Sequence, residues 1–411
     1  MQKVLFLITE KESANGICVN SITNELINYG CEVFCITNRE LGEKEQFEKG
    51  GIKYLTVKPR ECYKLQKKVE SISKGFKRKF YKCAFVLLNN LKNIISIPKW
   101  PLLSNSYQNR IYKSALKVCR EKGIDTIVAV YSQIDTLISA SKVKIKIPQI
   151  KYVAYMLDSL AGGYGPKVFS KKWVQHRGLK WEQKVFYNVD KIIMMKSAQE
   201  FYQDRKHLVY FNKIVFLDLP LFIPRERTFQ EQGKIINFLY VGTIPVHIRN
   251  PKYFINCFMR IMDDNIRFKI IGTSTCEDYL KDCEKKDGRI QVLPFISHDD
   301  IVKEIEKANF LINLGNNNKS MTPSKIFEYM SYGKPIISTA PIEDEPSIKY
   351  LEKYPLSCVI YENEDIETNI NKLKNFIYYK ISERVDAFNL LNDFYLNTPK
   401  AFIECLSNEN N

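Results

Sequence analysis

The residues with the clearest capacity for chemistry lie between Thr322 and Glu328, in the run Thr-Pro-Ser-Lys-Ile-Phe-Glu. An apolar stretch, Phe310–Leu314, predicts a buried strand ahead of them, and Gly315–Met321 a polar loop. Thr322 suits a helix N-cap and Pro323 the first helical position, so a helix is expected over 323–332, with Gly333 as its left-handed stop. Free backbone N–H groups at such a start, the Ser324 hydroxyl and the Lys325 ammonium together form an anion site suited to a diphosphate. Glu328 lies four residues after Ser324 and three after Lys325, which places it on their face. A carboxylate there can accept hydrogen bonds from the two vicinal hydroxyls of a ribose. Ile326, Phe327 and Met330 face the other way, into a core. The same spacing also fits a plain surface helix with a solvated Lys–Glu pair.

The elements that position this segment alternate between apolar runs and helical periodicity. Lys3–Ile8, Glu32–Thr37, 51–57, Thr126–Val130, Tyr152–Leu157 and Lys191–Met195 read as strands in the first half, and 17–29, 106–122 and 172–189 as helices. The second half repeats the pattern. Strands are expected at 236–241, 267–271, 290–293, 310–314 and 335–338, and helices at 250–263, 299–307 and 323–332. Pro220, Pro224 and the polar run 225–234 mark a linker. Strand–helix alternation of this kind predicts an α/β protein of two Rossmann-like, doubly wound domains facing each other across a cleft. The expected divisions are 1–222, 223–382 and 383–411, the last with a helix over Glu383–Cys405 that returns to the first domain. The helix should open at the carboxyl end of a parallel strand, where open α/β sheets bind ligands.

Pro323–Ile337, with its Pro-Ser-Lys opening, Glu-Tyr pair and Gly-Lys-Pro-Ile ending, resembles the donor-site motif of the glycosyl transferases group 1, a family with the GT-B fold. Phe238-Leu239-Tyr240-Val241-Gly242-Thr243, Phe268–Gly272 and Leu293-Pro294-Phe295-Ile296 resemble other segments of the same domain. The resemblance covers roughly 235–340 and is looser towards the N-terminus. It implies a nucleotide diphosphate sugar as co-substrate and no bound metal. Ser324 and Lys325 would touch the donor phosphates and Glu328 the ribose. Gly242 and Thr243 would let the diphosphate approach the backbone, with Arg249 or Lys252 as a basic contact. Gly272 and the backbone at Phe295 would border the base. The chain departs from many retaining members at Ser320, where they carry a Glu, so the stereochemical outcome stays open.

The resemblance also places the acceptor on the N-terminal domain. Asn15-Gly16 falls in the first strand-to-helix loop, where a glycine allows close approach or simply turns the chain. Asp158 follows the strand Tyr152–Leu157. It is the candidate base if transfer inverts the anomeric carbon, a positioning group if transfer retains it, and otherwise a turn aspartate. His247, in the loop 242–249, is a second catalytic candidate. The family's acceptors, often lipid-linked, suit one more feature. From Lys58 to Lys82 ten basic residues face only Glu61 and Glu70, with Tyr63, Phe76, Phe80 and Tyr81 among them and an amphipathic stretch, 80–97, beyond. This suits an anionic membrane surface, and also a solvated helix face or nucleic acid. Nucleic acid is the less expected partner.

The chain has 411 residues, 45% of them hydrophobic and 26% charged, with net charge +16, which bounds it to a folded protein of about two domains. Met1–Thr9 enters a strand without a basic leader region. Eleven scattered cysteines fit reduced thiols, so a cytoplasmic location at the inner membrane face is expected. Four histidines, none at metal spacing, argue against zinc. Two other readings remain: a same-fold nucleotide-sugar epimerase, and a basic protein that binds membrane or nucleic acid without catalysis. No Gly-x-Gly-x-x-Gly follows a strand, which disfavours an oxidoreductase.

Overall fold

The computed structural model describes residues 2–40, 42–72, 75–96, 99–102, 104–162, 165, 168–226, 233–319 and 321–407. The chain divides into two compact units, Met1–Pro220 with Pro399–Asn411, and Leu221–Thr398.

The first unit runs β1 (Lys3–Leu7), α1 (Ala14–Asn28), β2 (Glu32–Asn38), β3 (Gln46–Lys49), β4 (Ile52–Val57), α2 (Glu61–Ser71), α3 (Phe76–Ser96), α4 (Asn105–Lys122), β5 (Thr126–Val130), α5 (Ile134–Lys146), β6 (Lys151–Met156), α6 (Lys171–Val185), β7 (Lys191–Met195), α7 (Gln199–Gln203) and β8 (Ile214–Leu217). Its eight strands lie in the order β3-β4-β2-β1-β5-β6-β7-β8, all parallel except the β3–β4 pair. The central strands are buried on both faces, as parallel sheets covered by helices must be. Each fully buried Ile, Leu or Met there contributes roughly 1.5–3 kcal/mol.

The second unit runs β9 (Ile236–Val241), α8 (Lys252–Arg260), β10 (Ile266–Ile271), α9 (Glu277–Lys286), β11 (Ile290–Leu293), α10 (His298–Lys307), β12 (Phe310–Leu314), α11 (Lys325–Ser331), β13 (Ile336–Ala340), α12 (Ile348–Leu351), β14 (Ser357–Tyr361) and α13 (Ile366–Lys380). Its six strands are parallel in the order β11-β10-β9-β12-β13-β14, so chain direction across the sheet reverses between β9 and β12.

The tail departs from the helix expected over 383–405. Residues 387–390 and 395–397 form short 3-10 turns in the second unit, and the last helix, α14 (Pro399–Ser407), belongs to the first. α14 packs on α1 and sets Phe402 edge-on against Tyr155 at 4.7 Å between ring centroids. Lys151 Nζ and Lys191 Nζ donate to the carbonyls of Leu406 and Cys405, satisfying acceptors that a helix end leaves unpaired. The expected linker is partly pinned: Ile223 N donates to Ser331 Oγ at 2.8 Å and Arg225 N to the Ser331 carbonyl.

Candidate functional site

The β9/β12 reversal gathers most of the expected donor residues. β9 ends at Val241, and Gly242 follows at φ +148, matched by Gly272 after β10 at the same φ. These are backbone conformations that favour glycine. A Cβ on Gly272 would lie 2.0 Å from the Gly242 carbonyl oxygen, so the two turns pack backbone on backbone. Gly242 N donates to Ile271 O at 2.9 Å, Ile244 N to Thr273 O at 2.8 Å and Thr273 Oγ1 to Thr243 Oγ1 at 3.2 Å. The loops are thus held rigidly while Thr243 stays exposed.

Arg249 ties this loop to the one after β12. Its Nε donates to Asn316 Oδ1 at 3.0 Å, Asn317 N donates to the Ile248 carbonyl and Asn317 Nδ2 to the His247 carbonyl. Asn316 is itself fixed by buried Glu345, whose Oε1 accepts from its N–H at 3.2 Å. Burial raises the Glu345 carboxyl, and bonds from Ser347 and Asn316 oppose that rise. Neither Asn316 nor Glu345 stands out by spacing in the sequence, because each acts through partners far along the chain.

α11 starts later than expected. Its N-cap is Ser324, which makes no side-chain capping bond, and Lys325 is the first helical residue. The reason is local. Asn316 Nδ2 donates to the Met321 carbonyl at 2.6 Å, which holds that carbonyl in the loop ahead of buried Pro323. Thr322 therefore does not cap the helix. Lys325 Nζ and Glu328 Oε2 form an ion pair at 2.6 Å, with 25% and 17% of their side chains exposed, so they share one face as the spacing predicts. Ile326, Phe327 and Met330 are fully buried. Tyr329 joins α11 to β9: its hydroxyl accepts from Val241 N at 3.0 Å. Gly333 ends the turn at φ +63.

Two expected donor contacts, Lys252 and Phe295, and the catalytic candidate His247 make none of the side-chain contacts described for this cluster. Lys252 opens α8 with its Nζ 5.3 Å from the centre of the Tyr279 ring, a cation–π contact. Phe295 is 66% exposed after β11. His247 is exposed and contributes only its carbonyl to the loop contacts given above. Ser320 lies outside the described residues. Lys334, from the Gly-Lys-Pro segment, serves the fold. It is buried and donates to the carbonyls of Glu306 and Ala308 at the end of α10, and desolvation lowers its ammonium to about 7.

The first unit has its own reversal, between β1 and β5. Thr9 Oγ1 meets Ser132 Oγ at 2.6 Å, and Asn15 Nδ2 donates to the Tyr131 carbonyl at 3.4 Å. A Cβ on Gly16 would sit 2.0 Å from the Lys11 carbonyl oxygen, so this glycine makes room for the chain's own backbone. Asp158 follows β6 and reaches solvent, and partial desolvation by the surrounding protein raises its carboxyl from the ordinary aspartate value. Beneath its loop lies Glu182 of α6, fully buried, accepting from Tyr202 OH at 2.7 Å, Tyr210 OH at 2.6 Å and Ala161 N at 3.0 Å. Ser159 Oγ bridges Tyr202 OH and the Gly162 N–H. Among the described residues no group of His, Cys, Asp and Glu is placed to hold a metal ion, and no helix is long and apolar enough to cross a membrane.

Residues 236–353 match the family model "Glycosyl transferases group 1". The second unit carries a group 1 glycosyltransferase domain. No curated protein sequence matches the chain significantly. Among solved structures, the Anabaena protein HepE, in complex with UDP and glucose, is 12% identical with a TM-score of 0.62, covering 99% of this chain and 100% of its own. A glycosyltransferase from Rickettsia africae is 13% identical at 0.62, over 99% of each chain. WaaG, a glycosyltransferase involved in lipopolysaccharide biosynthesis, is 12% identical at 0.57, over 98% and 99%. With the group 1 domain placed in this way, the whole chain has the α/β architecture of GT-B glycosyltransferases.

Proposed function

We propose that this chain transfers a sugar from a nucleotide diphosphate sugar to a lipid-linked or polysaccharide acceptor in bacterial surface glycan synthesis. The observation that carries the reading is the corner where β9 and β12 diverge. There a rigid pair of glycine turns, Arg249 and the Lys325–Glu328 pair stand together within the matched domain. A nucleotide binding there would have its ribose hydroxyls received by Glu328 and its phosphates by Ser324, Lys325, Arg249 and the backbone at Gly242–Thr243. As the glycosidic bond to the phosphate breaks, negative charge grows on the leaving diphosphate, and the two cations stabilise it where it forms. No metal is needed for that neutralisation. The UDP and glucose held by HepE support a uridine donor.

Asp158 is the proposed acceptor-side group. A raised carboxyl lies closer to the working pH of a general base than an ordinary one. The role of WaaG in lipopolysaccharide synthesis supports a glycan acceptor. α3 supports a membrane-surface location. Phe76, Phe80, Leu87 and Leu91 form one exposed stripe, with Lys77, Arg78, Lys79 and Lys82 also exposed around its first turns.

Thermal stabilisation by a panel of nucleoside diphosphates tests the donor reading. One nucleotide should raise the melting temperature of the wild type, and Lys325→Ala and Glu328→Ala should abolish the rise. Absence of a shift with every nucleotide would remove the donor site from this corner.

A further inference from the structure

In the second unit the Arg249 guanidinium is seated by two fully buried groups, Asn316 and Glu345. Arg249 Nε donates to Asn316 Oδ1 at 3.0 Å, and Asn316 Nδ2 donates to the Met321 carbonyl at 2.6 Å. A guanidinium can only donate and a carbonyl can only accept, so these two partners fix which way the Asn316 amide points. Both polar atoms of that side chain are thus committed. Glu345, in the loop after β13, pins the backbone behind it. Its Oε1 accepts from Asn316 N at 3.2 Å, and its Oε2 from Ser347 N at 2.9 Å and from the Ser347 hydroxyl. The loops after β12 and β13 also meet directly. A Cβ on Gly315 would lie 2.2 Å from the Thr339 carbonyl oxygen and 3.0 Å from Glu345 Cγ.

With Nε taken by Asn316, recognition of an anion falls to the Nη edge of the guanidinium. Two tyrosine hydroxyls locate that charge. Tyr240 OH donates to the Thr243 carbonyl at 3.1 Å, and a Cβ on Gly242 would lie 3.4 Å from it. Burial raises this hydroxyl, and the neighbouring Arg249 charge opposes the rise. The Tyr329 hydroxyl is likewise raised by burial, and Glu328 and Arg249 act on it in opposite directions. Arg249 therefore presents its charge near both the Gly242 turn and the carboxylate of α11. We infer that Asn316, locked by Glu345, is a positioning residue for donor binding: it aims the Arg249 guanidinium at the diphosphate of a nucleotide held at the β9/β12 corner. This role rests on the reading of that corner as the donor site. An unheld arginine loses rotamer freedom when it orders on a ligand, whereas one already fixed at Nε has little left to lose.

The test is calorimetric titration of the full chain with UDP, GDP, ADP and CDP, then of each variant with the diphosphate that binds. Arg249→Ala and Asn316→Ala should each weaken binding roughly tenfold or more, the order of one hydrogen bond to a charged group. In the Arg249→Ala background, Asn316→Ala should weaken it less than about twofold further, because its effect acts through that guanidinium. Glu345→Gln replaces one acceptor oxygen by an amide. It should weaken binding severalfold with Arg249 present and not in its absence, and it carries the test if Asn316→Ala does not fold. A loss that persists undiminished without Arg249 makes Asn316 a packing residue and overturns the positioning role, as does unchanged affinity in Asn316→Ala. If Arg249→Ala binds like the wild type while Lys325→Ala does not, the positioning role falls and the donor site stands. If no diphosphate binds the wild type, both fall.

Discussion

The β9/β12 corner of the second unit and the β1/β5 corner of the first occupy the same topological place, yet they are built from different parts. The second-unit corner is made of backbone: Gly242 and Gly272 at positive φ, ladder-like bonds between their loops, and one arginine clamped by Asn316. The corresponding loops of the first unit rest on side chains: Thr9 on Ser132, Asn15 on a carbonyl, and the Asp158 loop on a buried glutamate held by two tyrosines. A corner built from backbone leaves little for a single substitution to change, so it suits a ligand part common to every nucleotide. Side chains can be exchanged one at a time, so a surface built from them suits a variable acceptor.

The largest expected effect tests that contrast in chemistry. Asp158→Asn should lower turnover by about 10²–10⁴-fold while nucleotide-induced stabilisation stays at the wild-type value. A parallel loss of nucleotide stabilisation would place Asp158 in binding instead. Next is the backbone corner itself. Gly272→Val forces a side chain into the Gly242 carbonyl and onto an unfavourable φ, and should cost about 3 kcal/mol or more in urea unfolding, with nucleotide stabilisation lost as well. A stable, nucleotide-binding Gly272→Val protein would show that the turn is not rigid. Lys325→Ala and Glu328→Ala should each weaken nucleotide binding roughly 10–100-fold by calorimetry, the range for a hydrogen bond to a charged group, with little change in stability.

A last comparison separates the units by pH. Glu182 is raised by burial, so its contribution to stability is complete below the unfolded value of ~4.3 and is lost as pH rises through its folded value. Lys334 is lowered to about 7 by burial. Between there and ~10.4 the unfolded chain binds more protons, so stability rises with pH, by at most about 1.4 kcal/mol per unit. Urea unfolding from pH 5 to 10 should therefore show Glu182→Gln gaining on the wild type as pH rises, and Lys334→Met losing the upward slope above pH 7. Slopes matching the wild type in both variants would mean that neither group ionises differently on folding.

Much of this was legible from local pattern. Five of the six strands of the second unit, the Lys325–Glu328 face and the Gly333 stop follow from apolar runs, a three-residue spacing and a glycine, whereas β14 (Ser357–Tyr361) was not marked. α5 was not marked, because Lys142–Lys146 alternates charged and apolar residues like a strand. Burial of Ile134, Leu137, Ala140 and Val143 on one face makes it a helix. β3 is a short polar strand paired with β4 at the sheet edge, and nothing in Gln46–Lys49 announces it.

By itself, the sequence determined most of the strands, where the donor-type motif lies and which charges crowd between Lys58 and Lys82, since each depends on neighbours a few residues apart. Only the tertiary structure decided that α11 begins at Lys325, that Lys252 turns to Tyr279 and that Lys334 caps α10. It also set Arg249 against Asn316, 67 residues away. The reason is that a polar side chain takes whichever partner relieves its desolvation, and folding brings those partners from distant parts of the chain.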